Sequence, residues 1–368
     1  NSIKDMWEGH AYALSILIAV MSCAWPYTKL LLMLLAWILP KNILSIKRRE
    51  SILKILDALG KWSLLDSFVM ILMLIAFHFN LVFDNVGKEV KGKVSVALWV
   101  YPAYGFVTLM IGTVFSLGLS HIILALDRYV DKTIDDTPTN KRRISLFRFC
   151  KNRRLAIFVI VILVSSFCAV VIGSYYKSFS FNFVGLLGWA MNLLNTPNYN
   201  EYSVIDLAFL LPRSAEYPNS FGVRFTQVLY IVITLIMPLL HILTLLLFWT
   251  LPLTHHIQAF LYKACEVMYA WSCLDVFVIS IVAAVLEISQ FAQFMVGNKC
   301  DLIDPIVREY FKDEPYIKNH EKCFQVITVL LKGSYMLIAA AIVHDFCTIV
   351  VNIVARKTLE ERISENEN

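Results

Sequence analysis

The chain is poor in charge. Asp, Glu, Lys and Arg make up 17% of its 368 residues against 58% hydrophobic ones, and the mean hydropathy is +0.65. A soluble domain carries roughly a quarter charged residues, so that class is excluded and an integral membrane protein remains. The eight cysteines contain no C-x-x-C pair, which removes zinc-ribbon and thioredoxin-like chemistry. The chain also lacks a phosphate-cradling glycine loop, a dinucleotide fingerprint and a nucleophile-and-base arrangement. Neither catalysis nor ATP-driven work by this chain is therefore expected. The net charge of +5 lies between apolar runs, where it sets topology, and implies no nucleic-acid partner. Asn1 opens the chain without a basic-then-apolar leader, so we expect the numbered sequence to begin inside a longer product.

What is present is a duplication. Trp62-Ser63-Leu64-Leu65-Asp66-Ser67-Phe68-Val69 returns as Trp271-Ser272-Cys273-Leu274-Asp275-Val276-Phe277-Val278, identical at six of eight positions. Upstream of each copy runs a long apolar segment with the same punctuation: Pro26, Trp37 and Pro40 in the first, Pro238, Trp249 and Pro252 in the second. Shared leucine and valine count for little in apolar helices. Tryptophan, proline and aspartate at constant spacing carry the argument.

Seven apolar stretches are long enough to cross a bilayer. They are Ala11 to Leu39, Trp62 to Phe83, Leu98 to Asp127, Leu155 to Tyr175, Arg224 to Leu251, Met268 to Met295 and Gln325 to Ile353. The expected fold is an all-α polytopic membrane protein, a tandem parallel repeat of about four transmembrane helices per half, with seven spans present. The first repeat occupies 1–130, its own first span lying upstream. A basic linker follows at 131–154, the second repeat at 155–357 and a polar tail at 358–368. Lys41 to Lys61 reads as a surface helix along an anionic leaflet, and His255 to Glu266 as a short turn. Asp84 to Ser95 reads as a polar turn. In 176–222, Phe179 to Leu194 and Val204 to Leu211 read as interfacial helices or a small cap over the outer mouth. Lysine and arginine in the linker place it, and the C-terminus, in the cytoplasm.

An ionisable group inside a bilayer costs roughly 3 kcal/mol or more, so each needs a partner or a purpose. Lys29 and Asp66 belong to neighbouring spans of the first half, and His241 and Asp275 hold the same positions in the second. Each cationic or titratable group, three residues after its proline, could face the aspartate of its own half. A structural alternative stands beside this. Trp62 and Trp271 look interfacial, which would put both aspartates near the headgroups as first-turn acids favoured by the helix dipole. In an α-helix Pro26 and Pro238 would free the carbonyls of Ser22 and Thr234, leaving either a kink patched by the hydroxyl or a polar binding spot. Glu287, Lys332 and His344-Asp345 are weaker candidates. Cys300 and Cys323 share one polar loop and could form a disulfide if it is extracytoplasmic. His255-His256 has no further ligands nearby, and no metal site is expected.

The Pro-x-x-Lys span, the basic segment and Leu59-Gly60-Lys61-Trp62-Ser63-Leu64-Leu65-Asp66-Ser67-Phe68-Val69, all duplicated, resemble the paraquat-inducible protein A (PqiA/LetA) family of bacterial inner-membrane proteins. The resemblance covers nearly the whole chain. The second copy is degenerate, with Met268-Tyr269-Ala270 for Leu-Gly-Lys and His241 for the lysine. The resemblance implies four spans per half and a part in moving lipid between membranes, with bound lipid as the only expected ligand. It also implies a soluble lipid-binding or MCE-like partner, or a fused upstream domain. Zinc-ribbon cysteines, common before each half in bacterial members, are missing before the second half here. The leading expectation is a non-enzymatic membrane subunit of a lipid-transport system, with ion coupling through Asp66 or Asp275 left open. The alternative is a structural or anchoring subunit of a larger membrane assembly. A coupled carrier for small solutes ranks behind both, because no glycine- or proline-broken pair of half-helices is evident.

Overall fold

The computed structural model describes residues 12–40, 42–76, 79–84, 93–98, 104–131, 143–149, 152–194, 196–300 and 324–367, and residues 4, 7, 305 and 309 besides. α1 (Tyr12–Ile18) runs through a π-helical turn (Ala19–Ala24) into α2 (Trp25–Ile38). α3 (Ile46–Ala58), a 3₁₀ segment (Leu59–Leu64) and α4 (Leu65–Ala76) form a second run. Strands β1 (Phe79–Asp84) and β2 (Lys93–Leu98) pair antiparallel before α5 (Tyr104–Asp131). After the short α6 (Leu146–Phe149) comes α7 (Arg153–Tyr175).

Beyond α7 lie β3 (Phe179–Val184), α8 (Leu186–Leu193), β4 (Tyr199–Tyr202) and α9 (Val204–Arg213). α10 (Phe221–Ile231), a second π-helical turn (Val232–Ile236) and α11 (Met237–Thr250) follow. α12 (His255–Trp271), α13 (Leu274–Cys300), β5 (Gln325–Leu330) and α14 (Lys332–Glu367) complete the described chain. Seven helical runs are long and apolar enough to cross a membrane, so the protein is an all-α polytopic membrane protein with small strand pairs outside the spans.

Three expectations about the connections are corrected. A hairpin stands where a polar turn was expected, and the second span stops at Ala76. β3 lies between β4 and β5 in one antiparallel sheet, where Phe179 to Leu194 was read as an interfacial helix or part of a small cap; Val204 to Leu211 is helical, within α9. The reason is a local period of two: Phe179, Phe181 and Phe183 alternate with smaller polar residues and bury their rings. Gly185 ends β3 at φ 80°, a backbone state that side-chain-bearing residues rarely adopt. Finally, neither α3 nor α12 is a surface helix or a turn. Each is the lower half of a long run, Ile46–Ala76 and His255–Ile288, interrupted at the tryptophan motif.

The two motif helices meet at the centre. Ten of the twelve residues of α4 are buried, and α4 packs on α13. Phe68 and Phe277, at equivalent motif positions, lie edge to face with centroids 5.3 Å apart, and Tyr230 closes the triangle at 6.4 and 5.4 Å. Such edge-to-face pairs contribute about 0.5–1.5 kcal/mol beyond their buried area. α2, by contrast, buries only the stripe Lys29, Met33 and Ala36 and leaves its other faces to the bilayer.

Candidate functional site

Proline and tryptophan motif turn out to be one device. Inside the second π-helical turn, Met237 N–H bonds the carbonyl five residues back, Val232. On that register Pro238 frees the carbonyl of Ile233, not of Thr234 as an α-helical reading gives. The Ile233 carbonyl instead accepts the backbone N–H of Cys273 at 3.1 Å. Cys273 can donate because the chain is extended at Ser272, φ −81° and ψ 100°, between α12 and α13. The break in one helix thus satisfies the break in the other. In the first half the same junction is a 3₁₀ segment lying against the first π-helical turn. Each half therefore distorts two helices: a π-helical turn beside the proline and, at the tryptophan motif, a 3₁₀ segment in the first half and an extended break at Ser272 in the second.

Asp66 and Asp275 are each the second residue of the helix that restarts after the break, so both sit in a first turn, where a carboxylate complements the helix dipole. The motif lies within each long run, with α3 and α12 on one side of it and α4 and α13 on the other. Trp62 is half-buried against the core, Ser63 is buried, and Trp271 stacks on His121 at 6.2 Å.

The expected pairing within each half does not occur. Lys29, 1% exposed, donates from Nζ to the Ser116 carbonyl at 3.4 Å, and the carboxylate acting on it is Asp57. It reaches this place over Gly60, where an added Cβ would sit 2.5 Å from Lys29 Nζ. His241, fully buried, is bonded through Nδ1 to His344 Nε2 at 2.8 Å, one ring donating and the other accepting. Asp275 is claimed from the opposite half. Lys61 Nζ lies 2.9 Å from Asp275 Oδ2, donates to the Ser272 carbonyl at 3.2 Å and sits 4.1 Å from the centroid of the Tyr269 ring. The side chain of Lys61 is 2% exposed. Lys61 was legible as part of the motif, but its position beside Trp62 hid its role, since lysine next to tryptophan reads as an interfacial anchor.

Asp66 has no matching lysine, because Ala270 occupies the position equivalent to Lys61. Among the described residues no hydrogen bond or ion pair reaches Asp66. Several buried oxygens nearby in sequence are likewise without a hydrogen-bond partner among the described residues: Ser22 Oγ, Ser67 Oγ, Thr234 Oγ1, Ser272 Oγ and Asp275 Oδ1. All five come from the two π-helical turns and the tryptophan motifs. The hydroxyls of Ser22 and Thr234 therefore do not patch their kinks with any described bond.

A family model described as paraquat-inducible protein A matches residues 1–120 and 220–300. The chain belongs to this family. Both proline-containing runs and both copies of the tryptophan motif lie inside the matched segments, so the paired breaks and the Lys61–Asp275 bridge are built from the family region of the chain. No curated protein and no solved structure matches the sequence.

A second polar cluster was missed by sequence reasoning. At the end of the bundle that carries the basic segment, Arg49 binds Asp127 at 2.6 Å, Arg128 bridges Glu50 at 3.2 Å and Glu266 at 2.5 Å, and Lys54 reaches Glu50 at 2.9 Å and Glu266 at 3.3 Å. His121 Nδ1 lies 3.0 Å from Asp57 Oδ2. Glu50, Asp57 and Glu266 were hidden by a reading that placed their segments outside the bundle. At the opposite end Ser203 and Asp206 form a capping box at the start of α9, and Lys177 binds Asp206 at 2.7 Å. Burial pushes the Asp206 carboxyl up, but the bonds from Lys177 and Ser203 outweigh it and hold its pKa below the ordinary carboxylate value. Cys300 and Cys323 fall outside the residues whose side chains are described, as does any bond between them.

Proposed function

We propose that this member of the paraquat-inducible protein A family is the membrane subunit of a lipid-transport system, moving lipid between or across membranes without catalysing a reaction. Its duplicated halves, 1–130 and 155–357, would be joined by a cytoplasmic linker at 131–154, with the C-terminus on the same side. The observation that carries this reading is the polar seam at the centre of an otherwise apolar bundle. Lys61 of one half binds Asp275 of the other, and Asp66, at the equivalent motif position, has no described partner. Buried charge of this kind is expensive in a membrane and is retained where a pathway or a coupling step uses it. Helices distorted in mid-run, by a π-helical turn or at the tryptophan motif, resemble the discontinuous helices in which transporters house their sites, which favours transport over the anchoring alternative. A soluble lipid-binding or MCE-like partner, or a fused upstream domain, would receive the lipid.

The test is movement of a fluorescent phospholipid in proteoliposomes, scored both between leaflets and between vesicles, with and without a proton gradient. Wild-type protein should exceed protein-free vesicles, and Asp66→Asn should lower the rate by about tenfold at equal membrane insertion. Wild-type rates equal to those of empty vesicles would sink the transport reading. A normal rate in a well-inserted Asp66→Asn variant would leave transport standing and remove Asp66 from it.

A further inference from the structure

We propose that a glycerophospholipid with a zwitterionic, primary-amine headgroup binds at the basic end of the bundle, in a cavity of about 460 Å³ between α3, α12 and α14. This site adjoins the central seam through Tyr269 and holds whether or not the protein transports lipid.

Each of the three helices turns one face into the cavity. α3 offers Lys54, Asp57 and Ala58, α12 offers Tyr262, Glu266 and Tyr269, and α14 offers Ile349, Asn352 and Arg356. In α12 and α14 the spacing is three or four residues, and in α3 Asp57 and Ala58 stand three and four residues after Lys54, the signature of a single helical face. α3 lies in the first half and the other two in the second, so a ligand here bridges the halves. The volume falls within the roughly 300–1,000 Å³ typical of small-molecule sites.

The lining chooses the ligand in two steps. Its charges balance, with the cations Lys54 and Arg356 against the carboxylates Asp57 and Glu266. Lys54 and Glu266 already bind each other at 3.3 Å, so a ligand of one sign would break a pair, whereas a ligand carrying both signs can join it. Phosphate then belongs beside Lys54 and Arg356, and a cationic group beside the carboxylates. The second step is Asn352. Its Oδ1 is buried and has no hydrogen-bond partner among the described residues. An orphaned acceptor in a cavity wall calls for an N–H or O–H donor. An ethanolamine ammonium has three such donors, and a quaternary choline has none.

The rim makes the ligand a lipid and not a free headgroup. Ile55, Ile349 and Ile353 also line the cavity and are more than half exposed on the outer faces of α3 and α14, at 57%, 56% and 52%. In a chain with seven spans those faces meet acyl chains. The polar wall inside and the apolar rim outside match the two ends of one amphipathic molecule, seated at headgroup depth where Lys54 and Arg356 lie near the ends of their spans.

The full chain, purified in mild detergent and stripped of lipid, would be incubated with equal amounts of dioleoyl phosphatidylethanolamine, phosphatidylcholine and phosphatidylglycerol and read by native mass spectrometry. One phosphatidylethanolamine should be retained, about tenfold tighter than phosphatidylcholine. Asn352→Leu should erase that preference, and Ile353→Trp, which fills the mouth from an exposed position, should weaken retention of every lipid. Equal retention of phosphatidylethanolamine and phosphatidylcholine, or an unchanged preference in Asn352→Leu, overturns the proposal. So does preference for phosphatidylglycerol, which would make the site a plain basic patch. Displacement of the lipid by soluble phosphoethanolamine at equal concentration would overturn the bilayer-facing half of the argument. Loss of transport activity alone bears on the central seam and leaves this result untouched.

Discussion

The two aspartates of the tryptophan motif share a sequence context, a first-turn position and a helix break, yet they live in different electrostatic worlds. Asp275 is bound by Lys61 at 2.9 Å, while Asp66 has no described partner. A single divergence accounts for this: Lys61 precedes Trp62, and Ala270 precedes Trp271. The lysine of one motif serves the aspartate of the other, and the second motif carries no lysine to serve Asp66 in return. The lesson concerns pairing across repeats. A partner sought inside the same half would be Lys29 or His241, and both are engaged elsewhere, with the Ser116 carbonyl and His344.

The largest break in that comparison comes from Lys61→Met. It leaves Asp275 buried without its cation, and breaking a buried pair from one side costs about 3–5 kcal/mol. Thermal or detergent-induced unfolding, followed by tryptophan fluorescence, should show the loss. Removing both charges, Lys61→Met with Asp275→Leu, should recover most of it, since a hydrophobic replacement of a buried pair is often neutral. If the double variant is as unstable as the single one, the bridge owes its effect to shape and not to charge.

Much of this architecture was legible from residue patterns. Seven spans and the pairing of a proline run with a tryptophan motif follow from apolar length and from rare residues at constant spacing. What stayed hidden was whatever depends on a third dimension between the copies. Trp62 and Trp271 looked like the ends of their spans because tryptophan favours headgroups, but α3 and α12 continue each run beyond the motif. The ionic cluster around Glu50, Arg128 and Glu266 was invisible for the same reason: charged segments assigned to a surface conceal the partners that let them enter a bundle. The strands β3 and β5 were hidden by mixed signals, since Phe-rich alternation over six residues is too short to compete with an apolar run on hydropathy alone.

A smaller effect separates the buried bridge from its exposed counterpart. Lys177 and Asp206 are 2.7 Å apart, as close as Lys61 and Asp275, but their side chains are 46% and 35% exposed. Solvent screening limits such a pair to about 0–1 kcal/mol. Because the folded pKa of Asp206 is depressed, its contribution is present above the ordinary aspartate value near 3.9 and is lost as pH falls through the lower folded value. Hydrogen exchange of the α9 amides, corrected for intrinsic rates, should lose protection in wild type as pH drops below about 4. In Asp206→Asn that acid-linked loss should be largely absent, starting from slightly weaker protection at neutral pH. An unchanged acid response in the variant would assign it to another group.

The smallest stability change should come from the residue proposed to matter most for transport. Asp66→Asn breaks no described ion pair or hydrogen bond, so the penalty of about 3–5 kcal/mol that applies when Lys61 is orphaned has no counterpart here. Two minor terms oppose each other. Losing a first-turn carboxylate forfeits about 0.3–1 kcal/mol of helix-dipole interaction, while removing a formal charge from a half-buried site relieves a desolvation cost of similar size. The net should fall within about 0.5 kcal/mol of wild type. Asp275→Asn should destabilise strongly, because it strands Lys61 in a site where that side chain is 2% exposed. Measured side by side, the two isosteric changes weigh the same motif position with and without a cross-half lysine. If Asp66→Asn proved as damaging as Asp275→Asn, Asp66 would have to be held by a group outside the described residues. The asymmetry between the halves would then vanish, and with it the case that one aspartate is kept unpaired for use.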